Sequence, residues 1–437
     1  MSDTLTDRLS VGHNYFVANY PPFQAWGPHA IPDIYAALAA PPASNTPLGV
    51  YLHVPFCRKR CHFCYYKVYT ERSASEVGRY VDALHTELRM HAESNAISGR
   101  SADFVYFGGG TPSYLSGDQL RNLVDGMQAI LPWSPDAEIT FECEPGTLRW
   151  PKIEAIRDIG VTRVSLGVEN FDQTILEANG RAHGERHIEP AFEMCRRAGF
   201  AQVNIDLIAG MLGENDENWA RCIDRTLALE PDSVTIYQME VPGNTTLFKD
   251  LKAGSMVADE LATWAQKRAW VDEAFSRLGD AGYHLSSGYT AVRKEGTAFG
   301  YRDNLWHGAD LLGVGVSAFG HIGGVHLQND KHLDSYLASI ESGELALQRG
   351  HALSREQLMI REWVLQCKLG RVSYAYFIEK FGQDPRERFG AALQALYTAG
   401  LAEDDGHQLR LTRKGLLRVD TLLPIFFEPQ YAQPTGG

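Results

Sequence analysis

Three of the seven cysteines in this 437-residue chain fall within eight residues, as Cys57, Cys61 and Cys64 with the spacing C-x3-C-x2-C. Whatever fold forms has to present three thiols from a single loop, and thiolates gathered in this way select soft metals. A [4Fe–4S] cluster suits such a loop, because three thiolates leave its fourth iron without a protein ligand and open to a small molecule. A structural zinc ion asks for a fourth donor, which His53 or His62 could supply as a Cys3His set. A disulfide would leave one of the three cysteines over. Cysteines acting as small buried apolar residues have no need of this spacing.

From Leu48 onward, short β-branched or aromatic runs alternate with amphipathic stretches, the signal for βα units and a parallel sheet. The runs are 48–54, 103–107, 138–142, 162–168, 202–208 and 233–239. The stretches between them, 75–93, 117–131, 150–159, 187–198 and 216–229, are long enough for crossover helices. Six such units predict an α/β fold, a partial (β/α)6 barrel.

In parallel α/β architectures ligands collect at the carboxyl ends of the strands. The cysteine loop follows the first run. Gly108-Gly109-Gly110-Thr111-Pro112 follows the second, where glycines permit close backbone approach and the proline stops further pairing. The third run ends at Glu142, the fourth leads into Glu169, and the fifth contains Asp206. Carboxylates at such places are costly to bury without partners, so they are candidate acceptors for a cationic amine or for ribose hydroxyls, with salt bridges and helix caps as their plainer use. Arg181, a little further on, has the planar fork that clamps a carboxylate.

Outside the repeating units, residues 1–47 mix aromatics with prolines, show no sustained period and read as an extension wrapped on the barrel of 48–250. Residues 259–281 read as a long amphipathic helix opening a region, 251–350, that completes the active site. Within it Gly313, Gly315, Ser317 and Ala318 call for a backbone packed tightly against a ligand or another strand. Residues 351–437 read as a mostly helical module with a hairpin over 401–412 turning near Asp404-Asp405-Gly406-His407, the pattern of a winged helix. It lacks a basic recognition face, so a lid or substrate-side role is expected rather than DNA binding. The charge balance agrees: 41 basic against 54 acidic residues, net −13, disfavours general affinity for nucleic acid or anionic membrane. No apolar run reaches the ~18 residues of a membrane span, and residues 1–19 lack the basic and apolar regions of a signal peptide. A cytoplasmic monomer is expected.

With the cysteine loop followed by Gly-Gly-Gly-Thr-Pro, the chain resembles the radical S-adenosylmethionine (SAM) enzymes. More narrowly, Tyr51-Leu52-His53-Val54-Pro55-Phe56-Cys57 and the segment 304–320 resemble the oxygen-independent coproporphyrinogen III oxidase group, over about residues 48–420. That group includes the porphyrinogen decarboxylase, a haem chaperone, and the class C methyltransferases with their cyclopropane-forming relatives. The resemblance implies that Cys57, Cys61 and Cys64 ligate three irons while the amine and carboxylate of SAM chelate the fourth. It implies that Gly109, Gly110 and Thr111 receive the methionine amine, with Glu142, Glu169, Arg181 and Asp206 around the rest of the cofactor. Reductive cleavage of SAM to a 5′-deoxyadenosyl radical follows, fed by an external one-electron donor such as flavodoxin or ferredoxin. The protein supplies orientation and excludes water. The decarboxylase and class C branches imply a second SAM, and Tyr51 and Phe63 match positions lining its site.

The chain departs from the family pattern in two places. Glu169 stands where Gln is frequent, and Tyr65-Tyr66 follow Cys64 where the decarboxylase has Gly-Cys and the chaperone Asp-Phe. The first bears on how the ribose or methionine moiety is held; the second favours the third branch, a radical enzyme that moves a methyl or methylene unit from a second SAM to an sp2 carbon of a small-molecule substrate. Its proton would pass to Tyr65, Tyr66 or Glu142. Oxidative decarboxylation of coproporphyrinogen III and haem delivery are the alternatives.

Overall fold

The computed structural model describes residues 16–254 and 261–432. The expected parallel strands are β1 Leu48–Val54, β2 Ala102–Gly109, β3 Trp133–Cys143, β4 Arg163–Glu169, β5 Gln202–Ala209 and β6 Ser233–Gln238. Each pairs in parallel with the next, so that Val54 stands beside Gly109, Glu142 beside Ser165 and Gly167 beside Asp206. A period of two residues sorts their side chains. Leu48, Val50, Leu52 and Val54 of β1 are at most 1% exposed and meet the covering helices. Tyr51 and His53 point the other way, into the barrel, as do Tyr106 of β2 and Glu142 of β3, which bond to each other.

The outer layer is built from helices with strong start signals. In Ala74–Ala92, Ser73 and Glu76 form a reciprocal capping box, and Val77, Tyr80, Val81, Leu84 and Leu88 make one buried stripe. Burying each such side chain contributes roughly 1.5–3 kcal/mol before chain entropy is charged against it. Gly117–Ile130 repeats the capping box with Ser116 and Gln119, and Asp216–Leu229 is capped by Asn215; Trp150–Asp158 and Ile188–Ala198 have no side-chain cap and are held by their buried faces.

The sheet extends beyond the repeating units. β7 His284–Leu285, β8 Thr290–Val292, β9 Asp310–Val314, β10 Phe319–Ile322, β11 Val325–Asn329 and β12 Leu347–Ala352 complete a 12-stranded sheet in the order β12-β11-β10-β9-β1-β2-β3-β4-β5-β6-β8-β7. β9 pairs in parallel with β1, adding a parallel strand beyond the six expected. This explains the small residues of that segment: a Cβ at Gly313 would stand 2.2 Å from Phe319 O, and one at Gly315 2.8 Å from His53 O. Tight packing of strand on strand accounts for both positions.

Two sequence readings need correction. A helix, Ile31–Ala39, lies within the N-terminal stretch read as aperiodic. Its Ile34 and Leu38, one turn apart, pack into the main core, and the alanine-rich remainder left no wider stripe to detect. The helix expected over 259–281 runs over Trp264–Asp280 with Thr263 as its cap, while Asp259 and Glu260 lie outside the described residues. Tyr15 and the rest of residues 1–15 also lie outside them.

A second core organises the C-terminal part. The helix Arg355–Cys367 is buried at every position from Met359 to Cys367, and Trp363 sits among Tyr374, Phe377, Phe389 and Phe426. A three-stranded sheet of β13 Arg371–Ser373, β14 Ala402–Asp404 and β15 Gln408–Leu411, in the order β13-β15-β14, supplies the wing. Gly406 takes φ 86° at its turn. Tyr20 of the extension meets Phe427 in a tilted ring contact, and Trp26 stacks on His326 of β11.

Candidate metal and cofactor site

The three cysteines occupy the loop that leaves β1, next to the glycine turn that leaves β2. Gly110 N donates to Val54 O at 2.7 Å, and a Cβ at Gly110 would meet Val54 O and Phe56 O at 2.9 Å. Gly109 has φ 111°, where a side chain would strike the His53 ring. Loop and turn are therefore seated on each other. Thr111 donates its hydroxyl to Cys57 Sγ at 3.3 Å, and Arg181 Nη1 donates to Cys61 Sγ at 3.3 Å.

Burial pushes the Cys57 thiol up to about 12 and the Cys64 thiol up to about 11. As free thiols both stay protonated at neutral pH, and ligation requires the positive charge of a metal centre to release the protons. Neither histidine completes a zinc set. His62 Nδ1 lies 3.0 Å from Ala178 O with its ring against Gly180, and His53 Nδ1 lies 3.1 Å from the Tyr51 hydroxyl. Among the described residues no three His, Cys, Asp or Glu side chains gather where a single ion would take them. A four-iron cluster needs one thiolate at each of three corners. The all-thiol donor set, with Thr111 and Arg181 supporting its sulfurs, fits that group.

Behind the loop, strand ends bring the acids together. Arg181 Nη2 donates to Gly167 O at 2.7 Å and lies 3.4 Å from Glu169, which holds φ 64° at the end of β4. Burial pushes the Glu169 carboxyl up to about 7 although Arg181 works against it. Glu142 accepts the Tyr106 hydroxyl at 2.6 Å, and burial pushes it, too, up to about 7. Asp206 accepts from Ser165 Oγ at 2.7 Å and Asn204 Nδ2 at 2.9 Å, and burial raises its carboxyl as well. Three carboxyl groups, with Arg181 at their edge and the charge of Arg163 reaching Asp206, leave room for a cationic partner, which would lower all three.

An aromatic wall faces these acids. The Tyr106 ring centroid lies 6.0 Å from that of Tyr51 and 4.4 Å from that of Tyr301, which enters from the segment after β8. Tyr65 and Tyr66 sit in the barrel mouth, 48% and 41% exposed, with ring centroids 4.5 Å apart. They are recessed yet wetted and do not pack beneath the loop. The charge Tyr65 would carry, then burial, pushes the Tyr66 phenol well above its ordinary range. Tyr51 belongs to the barrel stack, and Phe63 packs with Ile175, Ile208, Met211, Met239 and Leu247. Sequence reasoning missed Tyr106 and Tyr301. Tyr106 carried a signal, since it lies between the buried Val105 and Phe107 on β2; Tyr301 carried none, because only the fold delivers it.

The comparisons with known proteins agree with this geometry. Residues 51–225 match the family model described as the radical SAM superfamily, and residues 353–418 match the HemN C-terminal domain. The chain is similar to a protein named heme chaperone HemW from Mycobacterium tuberculosis, 32% identical over 87% of this chain and 95% of that one. It is similar to the oxygen-independent coproporphyrinogen III oxidase of Escherichia coli, 28% identical over 87% of this chain and 85% of that one. The solved structure of the Escherichia coli coproporphyrinogen III oxidase, HemN, superposes with a TM-score of 0.82 at 26% identity, covering 94% of this chain and 96% of that one.

Proposed function

The chain belongs to the radical SAM superfamily, in its HemN-like group, and from that premise we propose that it oxidises and decarboxylates a propionate-bearing tetrapyrrole of the coproporphyrinogen III class. The observation that carries this reading is the extent of the likeness to the oxidase structure, which runs through both the barrel and the C-terminal module. When bound, a [4Fe–4S] cluster and SAM supply an adenosyl radical that takes one hydrogen atom from a substrate carbon. Cys57, Cys61 and Cys64 would hold the cluster, while the turn Gly109, Gly110 and Thr111 presents backbone to the methionine amine. Glu142, Glu169 and Asp206 answer the cofactor's positive charge and hydroxyls, and Arg181 keeps Glu169 and Cys61 in place. The Tyr51, Tyr106 and Tyr301 wall excludes water from the radical's path. After hydrogen removal from a propionate side chain, loss of carbon dioxide leaves a vinyl group and one electron, which a one-electron carrier protein accepts.

A second reading, one-carbon transfer from a second SAM, draws support from the bond between Tyr106 and Glu142. With a carboxyl near 7, Glu142 is suited to accept the proton that methylene addition releases, whereas the raised phenols of Tyr65 and Tyr66 are better donors than acceptors.

One anaerobic experiment separates these readings. Reconstituted protein is given a reductant, methyl-labelled SAM and coproporphyrinogen III. Vinyl products with labelled methionine and unlabelled porphyrinogen are expected. Label in the product would transfer the assignment to the second reading. Tight stoichiometric haem binding without turnover would transfer it to the activity named for the Mycobacterium relative.

A further inference from the structure

Arg163 opens β4, on the face that Ser165, Gly167 and Glu169 continue toward the cysteine loop. It is 2% exposed, and its guanidinium carbon lies 4.0 Å from the centre of the Phe299 ring. Its Nε is buried without a hydrogen-bond partner, and among the described residues no carboxylate pairs with the group. The charged groups around it are already engaged. Asp206 is taken by Ser165 and Asn204, Glu138 accepts the backbone N–H groups of Gly300 and Tyr301 at 2.8 and 3.1 Å, and Arg302 pairs with Asp303 at 2.7 Å. Lys368, equally buried, does have a carboxylate in contact, Asp420 at 3.1 Å.

A desolvated guanidinium with no carboxylate in contact is unfavourable, and the ring of Phe299 together with the charge of Asp206, which acts on it without touching it, offsets only part of that. The group is planar, lies over an aromatic ring, and is turned into a barrel whose other end holds the cofactor acids. Its fork matches a carboxylate in two parallel hydrogen bonds. We propose that Arg163 is an anchor for a carboxylate of the substrate, at the inner end of the barrel. Glu142 stands beside Ser165, two residues further along the sheet. Along the strand direction the backbone levels of Arg163 and Glu142 are therefore roughly 7 Å apart. The anchor rests on the barrel geometry alone. Its assignment to a propionate of a porphyrinogen rests on the function proposed above.

The test uses cluster-reconstituted protein, the variants Arg163→Met and Arg163→Lys, and two small probes of equal size, sodium propionate and neutral propionamide, with ionic strength matched by chloride. Propionate is expected to raise the melting temperature of the wild type by about 2 °C or more, and propionamide to leave it in place. Arg163→Met is expected to melt at or above the wild type, since an isolated buried charge has been removed, and to lose the propionate response. Melting of Arg163→Met several degrees below the wild type would overturn the proposal by making the arginine a structural cation. So would an equal propionate response in both proteins, or none in the wild type. With coproporphyrinogen III as substrate, Arg163→Lys is expected to raise KM at least tenfold with a smaller fall in kcat; an unchanged KM overturns the anchor. If the wild type ignores coproporphyrinogen III but its propionate response vanishes in Arg163→Met, the anchor stands and only the substrate reading falls.

Discussion

Replacing Tyr106 by Phe removes one hydroxyl from the aromatic wall and with it the 2.6 Å bond to Glu142. Burial has pushed Glu142 up to about 7, and the Tyr106 bond is the largest influence acting against that push. A hydrogen bond to a charged group contributes roughly 1.5–3 kcal/mol, and one pKa unit corresponds to about 1.4 kcal/mol, so its loss raises Glu142 by about 1–2 units. The site needs Glu142 as a carboxylate, so the acid limb of activity moves to higher pH by the same interval. The assay is anaerobic release of 5′-deoxyadenosine, with kcat/KM for SAM measured from pH 5.5 to 9.5. Stability gives an independent check on the sign. The folded-state pKa is raised from 4.5 to about 7, so the folded protein binds this proton more tightly than the unfolded chain. Stability from this group is full below about 4.5 and is lost as pH rises through about 7, amounting to roughly 3 kcal/mol without ligand. In the variant that loss extends further toward alkaline pH. An acid limb that stays in place or moves to lower pH would refute the reasoning.

Changing Cys57, Cys61 or Cys64 to Ala should abolish the cluster and turnover together, read as iron content and visible absorption that dithionite bleaches; a variant retaining both would remove that cysteine from the ligand set. Gly110→Ala would place a methyl 2.9 Å from the carbonyls of the cysteine loop, so cluster loading on reconstitution should fall severalfold while the far-ultraviolet circular dichroism is kept. Trp363→Ala empties the centre of the second core and should cost about 3–5 kcal/mol, seen as a lower midpoint in urea. Gly313→Ala would drive a methyl to 2.2 Å from Phe319 O, where β9 and β10 meet, and should destabilise by about 1–3 kcal/mol in the same assay.

Much of the architecture was legible before any coordinates because its causes are local. The β-branched and aromatic runs, nearly continuously buried in the strands, and the crossover stretches of helical length each act within a few residues of chain. The cysteine spacing and the glycine turn are local in the same sense. The helix Ile31–Ala39 escaped because two buried side chains give too short a period, and β9 escaped because strand pairing is settled by a partner some 260 residues away.

By itself, then, the chain's order of residues determined the metal-binding loop, the six βα units, and the acids at their strand ends. Tertiary structure alone decided which of those residues share a site. It set Arg181 between Cys61 and Glu169, brought Tyr301 onto Tyr106, sent Phe63 to a different cluster from Tyr51, and left Arg163 buried with its Nε unpartnered. The physical reason is that spacing along the chain selects an element, whereas burial, desolvation and pairing depend on groups from distant elements that only folding places side by side.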